Sequence, residues 1–119
     1  MSSLVRRYEV RLTPSAMAQI SDAVSYVRDD LGMPQAAARL LEELEEAVMG
    51  LANLPNRFHA VDAEPLLSAG VRRMNVRKYS VFYRVDEASL AVDVFAVFYG
   101  TPSDERVRRA FASGTEDGR

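Results

Sequence analysis

The chain has no cysteine. That absence excludes a disulfide scaffold, cysteine-ligated zinc, an iron–sulfur cluster and thiol catalysis. Histidine is nearly missing as well. His59 stands alone, too few for a histidine-based metal site, so neither a metal nor another cofactor is expected. Lysine is represented only by Lys78 among 15 basic residues. The rest are arginine, which suits bidentate contact with phosphate or carboxylate; codon bias in a GC-rich genome gives the same composition. Long apolar runs are also lacking. The opening MSSLVRRYEV holds no signal-peptide core, and no later segment has the length to span a bilayer. The expectation is a cytoplasmic protein with no membrane partner.

What is present fits one domain of 119 residues. We place it at residues 1–112 and read 113–119 as a flexible tail. A chain of this size buries roughly two-thirds of the surface it exposes when unfolded and folds without a staple. The whole is slightly acidic, with net charge −2 and pI near 5.4. Against that background Arg72, Arg73, Arg77 and Lys78 crowd into a few positions with no acid among them. Such a local basic rim suits phosphates or an acidic partner. Basic side chains on a strand edge also serve simply to block edge-to-edge pairing.

Periodicity lays out the elements. Tyr8, Val10 and Leu12 alternate with Arg7, Glu9 and Arg11, the period of a strand with one buried face. Thr13-Pro14 supplies an N-cap and a first-turn proline. Met17, Ile20, Val24, Val27 and Leu31 then form a helical apolar stripe that Gly32 closes. Pro34 opens a second helix with Ala37, Leu40, Leu41, Leu44, Val48 and Leu51 on its apolar side. The short connection predicts an antiparallel helical hairpin. Residues 53–69 read as a long loop, a candidate for function or mobility. Three strands follow. Met74 and Val76 face inward, Arg77-Lys78 turns, Tyr79 to Val85 alternates, residues 86–89 turn again, and the apolar run from Leu90 to Phe98 marks a central strand. A last short helix is expected from Pro102 to about Phe111. The class is therefore α+β in the order β-α-α-β-β-β(-α), with a helical hairpin on one face of a small, mostly antiparallel sheet. The other face, holding arginine and aromatic side chains, is expected to be partly open.

This order, together with VRRMNVRKYSVFYRVD and then VFAVFYG, resembles the RelE/ParE superfamily of toxins from type II toxin–antitoxin (plasmid stabilisation) systems, from about Tyr8 to Phe111. The resemblance rests on Arg72/Arg73, on the strand Tyr79-Ser80-Val81-Phe82-Tyr83, and on Phe98-Tyr99-Gly100. It implies a growth-inhibiting toxin paired with a cognate antitoxin, whose disordered amphipathic segment folds on binding with its acids toward the arginine face. RelE-like members resemble ribosome-dependent, metal-independent mRNA endonucleases, in which a base activates the ribose 2′-OH and arginines stabilise the phosphorane. ParE-like members poison DNA gyrase. In the nuclease branch an arginine directly follows the first tyrosine of the Tyr-x-x-x-Tyr strand, and another follows the closing glycine. Here those places hold Ser80 and Thr101-Pro102. The ParE-like ending His-Gly-x-Arg-Asp is also altered, to Tyr99-Gly100-Thr101-Pro102-Ser103-Asp104.

The missing nuclease arginines and the acidic pI favour a ParE-like inhibitor of gyrase. The alternatives are a RelE-like interferase acting on ribosome and mRNA with a non-standard set, and a degenerate toxin that only binds antitoxin. By the resemblance, Arg73 and Tyr99 are the candidate catalytic residues. Arg72, Arg73, Arg77, Lys78, Arg106, Arg108 and Arg109 are the candidate contacts to target or antitoxin. The last three also suit the dipole at a helix C-terminus. Tyr79 and Tyr83 read as core or half-buried packing, His59 as a surface residue, and Glu42 to Glu46 as the exposed side of the second helix.

Overall fold

A computed structural model of the chain describes residues 7–117. A five-stranded sheet in the order β1-β5-β4-β3-β2 forms the middle layer. Its strands are β1 (Glu9–Leu12), β2 (His59–Ala60), β3 (Val71–Val76), β4 (Tyr79–Asp86) and β5 (Ala91–Tyr99). β1 runs parallel to β5 in the register Glu9↔Ala91 to Leu12↔Val94, and the other pairings are antiparallel. The helices are α1 (Pro14–Ser25), α2 (Pro34–Gly50) and α3 (Asp104–Asp117).

The hairpin forms as its caps predict. The Thr13 hydroxyl accepts from the Ala16 N–H at 3.1 Å, and Pro14 and Pro34 occupy first-turn positions where a proline costs no helical hydrogen bond. Gly32 adopts φ +65° between the helices, a conformation costly for a side-chain-bearing residue. One side of the sheet meets this hairpin. Leu40, Leu44, Val48 and Leu51 pack there on Met74, Val81, Tyr83, Val92, Val94 and Val97.

The expectation of a partly open second face is overturned. Leu66, Val71, Phe82, Phe95, Ala96, Phe98 and Val107 form a second buried cluster, roofed by α3 and the 61–69 segment. The cause lies in β5. Its pairing with β4 steps from Phe82↔Ala96 to Tyr83↔Val94. The extra residue is a bulge that puts both Phe95 and Ala96 on the second face. A strand apolar on both faces needs a layer on each, and α3 supplies the second.

Other boundaries moved as well. The first helix is regular only to Ser25, and Tyr26–Asp30 is a π-turn in which the Leu31 N–H donates to the Tyr26 carbonyl. The expected stripe therefore splits: Ile20 and Val27 touch the core, while Met17 and Leu31 are 53% and 50% exposed. The segment read as loop 53–69 holds a 3-10 turn at Pro55–Arg57 and the edge strand β2. Leu66 is fully buried, and Glu64 accepts from the N–H and hydroxyl of Ser68, so the segment is packed structure. α3 continues to Asp117, past the expected end near Phe111, because its later turns also meet the sheet: Phe111 packs edge-on to Phe95 and Gly114 is buried against it. Arg106, Arg108 and Arg109 thus lie in the first half of the helix. Asp104 and Glu105 occupy its first turn, and the C-terminal dipole reading of those arginines does not hold.

Candidate functional site

The candidate site grows from the tip of the β3–β4 hairpin. A two-residue turn joins the strands, with Arg77 in the left-handed region at φ +54°. Beside it β5 ends at Tyr99, where the Gly100 N–H donates to the Lys78 carbonyl at 2.7 Å. The Ser80 hydroxyl donates to the Gly100 carbonyl at 2.6 Å, and Ser80 is buried. Its side chain therefore ties the end of the sheet together. Tyr79 and Tyr99 face each other across the strand pair, edge to face, with ring centres 5.3 Å apart. Burial raises the Tyr79 pKa above its ordinary value, and the neighbouring Tyr99 and Tyr26 phenols add to the shift. Both effects keep the hydroxyl protonated.

Two hollows open at this tip. The larger, of about 990 Å³, runs between the helical hairpin and the end of the sheet. Tyr26, Val27, Leu31 and Leu40 line its helical wall, and Tyr79, Val97 and Tyr99 line its sheet wall. Arg77, Lys78 and Arg106 stand at its rim, with Asp22 among its lining residues. The π-turn shapes the helical wall, leaving the large side chains Tyr26 and Leu31 about half exposed. The smaller hollow, of about 280 Å³, gathers Arg73, Asn75, Arg77, Lys78, Tyr99 and Thr101. Among the described residues no group of histidine and acidic side chains could hold a metal ion.

The structure divides the predicted residues. Arg73, Arg77, Lys78 and Tyr99 converge on the small hollow. Arg72 and Arg73 are neighbours on one strand and so point to opposite faces. Arg72 is committed to packing: it donates to the Phe58 carbonyl at 2.7 Å and to Asn56 at 3.2 Å. Arg77 makes a bidentate pair with Glu43 of α2, at 2.6 and 2.7 Å. That contact raises the Arg77 pKa and holds the Glu43 carboxyl below its usual range. Arg108 donates to the Glu64 carbonyl at 2.8 Å and lies 3.6 Å from Glu105. Arg109 is exposed and lines neither hollow. Arg106 stacks its guanidinium over the Phe98 ring, 4.2 Å from the centroid. Among the described residues, Lys78 and Arg106 are the rim cations without a carboxylate partner.

Sequence reading missed the helical wall. The period of 3.6 places Leu31 in a core stripe and does not single out Tyr26, since it does not anticipate the π-turn. His59 sits exposed at the start of β2, and Glu42, Glu45 and Glu46 face solvent. No helix among the described residues is long and apolar enough to cross a membrane.

Comparison with known proteins agrees with this architecture. The chain matches the family model described as ParE toxin of type II toxin–antitoxin system, parDE, over residues 10–101. Among solved structures it is similar to the chromosomal ParDE system from P. aeruginosa, with TM-score 0.64 and 18% identity over 80% of this chain and 98% of that one. It is also similar to the RelBE2 toxin–antitoxin complex from Mycobacterium tuberculosis, with TM-score 0.59 and 23% identity over 79% and 92% of the two chains. A free-state E. coli RelE toxin mutant matches with TM-score 0.54 and 14% identity over 92% and 96%. No curated protein matches the chain. At these identities the solved structures speak for the fold, while the family match spans most of the chain and includes the hairpin tip. The chain belongs to the ParE toxin family of type II toxin–antitoxin systems.

Proposed function

We propose that this toxin arrests growth through protein–protein contact with DNA gyrase and is held inactive by a cognate antitoxin. The observation that carries the reading is Ser80. At the place where nuclease-type relatives carry an arginine, this chain has a buried serine whose hydroxyl is closed on the Gly100 carbonyl. It cannot offer a charge to a phosphorane. The position after Gly100 is Thr101, also neutral. Loss of one such donor typically costs about a hundredfold or more in rate, and two are missing. The lining of the small hollow includes neither carboxylate nor histidine to serve as a base. The antitoxin part of the reading is supported by the family match and by the relatives described as toxin–antitoxin systems.

One observation favours a second reading. Arg73, Lys78 and Tyr99 share the small hollow, a cluster that could bind a scissile phosphate in a metal-independent endoribonuclease of RelE type. Induced expression without antitoxin separates the two, read by mapping mRNA 5′ ends and by a gyrase supercoiling assay on the purified chain. Intact mRNA with inhibited supercoiling is the expected result. Codon-phased cuts that vanish with Arg73→Ala or Tyr99→Phe would overturn it. Unimpaired growth alongside a tight antitoxin complex would mean that only antitoxin binding remains.

A further inference from the structure

We infer that the small hollow at the hairpin tip holds a phosphodiester of duplex DNA, gripped by Arg73 and Lys78 without being cut, and that Glu43 tempers this grip by occupying Arg77. The toxin then touches DNA as well as protein. The inference rests on the gyrase reading above for the choice of nucleic acid, because an enzyme that works on duplex DNA presents phosphates to whatever docks beside it.

Four observations carry it. The first is convergence. Alternation along β3 sends Arg73 and Asn75 to the same side, and the turn and the end of β5 add Arg77, Lys78, Tyr99 and Thr101. The hollow, about 280 Å³, has room for a phosphate group. The second is charge. No acidic side chain lines the hollow, and neither Arg73 nor Lys78 has a carboxylate partner among the described residues. In a chain of net charge −2, such a patch attracts anions through local arrangement rather than composition. Arginine, lysine, the Asn75 amide and the Thr101 hydroxyl are donor types that fix a DNA backbone. The third is the scarcity of open rings. Tyr99 is 66% exposed, but Tyr79 meets its ring edge to face at 5.3 Å. Grooves for single strands offer a series of rings to successive bases; one braced ring suits backbone contact with a duplex. DNA also lacks the 2′-OH that a metal-independent cut of the RelE kind activates, so the phosphate is held and not hydrolysed. The fourth is restraint. Arg77 lines the hollow as well, but Glu43 of α2 claims its guanidinium through two hydrogen bonds, at 2.6 and 2.7 Å. Loss of that carboxylate charge frees a third cation at the same place.

The test uses the full chain and fluorescein-labelled DNA duplexes of two unrelated sequences, with one of their single strands and a matching RNA duplex as comparisons. Binding is followed by fluorescence anisotropy over a salt series. Both DNA duplexes are expected to bind alike and tighter than the single strand or the RNA. Two phosphate contacts predict a loss of about tenfold in affinity between about 50 and 200 mM salt. Arg73→Ala with Lys78→Ala should flatten that dependence. Glu43→Gln should tighten binding at low salt and steepen the loss to about fortyfold over the same range, the mark of a third contact. Arg109→Ala removes an exposed cation that lines neither hollow and should change nothing. Absence of duplex binding, preference for the single strand or the RNA, equal loss with Arg109→Ala, or an unchanged slope in Glu43→Gln would overturn the assignment. Inhibition of gyrase supercoiling by the same preparation reports on the parent reading separately. Inhibition without duplex binding removes the phosphate site and leaves the gyrase reading standing; duplex binding without inhibition removes the gyrase reading and leaves the site.

Discussion

Single residues in this fold do work that their type does not announce. Tyr83 is fully buried, and its hydroxyl donates to the Pro55 carbonyl at 2.6 Å, fastening the 3-10 turn to the centre of the sheet. Burial pushes its pKa up to about 12, against the opposing pull of Arg72 and Arg57. The folded state therefore keeps a proton that the unfolded state loses near pH 10. This contribution is complete below pH 10 and is lost as pH rises toward 12. Tyr83→Phe should remove that alkaline component and cost about 1–2 kcal/mol at neutral pH by leaving the Pro55 carbonyl unpartnered. Urea unfolding of both proteins across that pH range checks it. Leu44, also fully buried, should cost about 2–5 kcal/mol as Leu44→Ala, read by the same unfolding curves. Ser80 teaches the same lesson for function. Its sequence position invites comparison with a catalytic arginine, but its burial and its bond to Gly100 make it a fastener.

Elements are placed by what lies on both sides of them. α3 covers the second face closely enough that a Cβ added at Gly114 would meet the Phe95 Cβ at 2.9 Å. Phe95 is itself buried, so that atom cannot yield. Gly114→Ala gains up to about 1 kcal/mol in helix propensity, yet it should lower the melting temperature by lifting α3 from the phenylalanine cluster. A rise in melting temperature would show that this packing is looser than described. The link between α2 and the hairpin tip is electrostatic. Arg77 lowers the Glu43 pKa chiefly through the hydrogen bond. The pair's contribution is present above the ordinary carboxylate pKa and is lost as pH falls through the lowered one. Glu43→Gln should therefore flatten part of the acid limb, seen by comparing unfolding at neutral pH with unfolding near pH 3. Both groups are exposed, so the effect is small.

For the whole molecule, the free toxin leaves a large groove open, and its partner should act as a stabilising ligand. Antitoxin in hundredfold excess over its dissociation constant adds about 2.7 kcal/mol to the folded state. Thermal unfolding with and without antitoxin checks this. Apart from the edge strand β2, hidden in the segment read as loop 53–69, the order of elements, the helical hairpin, the turns at 77–78 and 86–89 and the central strand were legible because each rests on local signals: a period of two or 3.6, a proline at a helix start, a Thr13 cap. The convergence of Arg73, Arg77, Lys78 and Tyr99 was half legible. Their clustering in sequence suggested a basic rim, but alternation along β3 separates Arg72 from Arg73, and no composition reveals which arginine already has a partner.

The sequence alone determined the fold class and the family, because apolar periodicity and the Tyr-x-x-x-Tyr to Tyr-Gly pattern are properties of neighbouring residues. Tertiary structure decided the rest. The bulge at Phe95 turned the second face apolar and called α3 over it. The π-turn exposed Tyr26 and Leu31. Internal hydrogen bonds consumed Arg72, Arg77 and Arg108 and left Lys78 and Arg106 at the rim. These outcomes depend on which distant groups meet in space, where a carbonyl or a carboxylate can claim a guanidinium before any partner arrives.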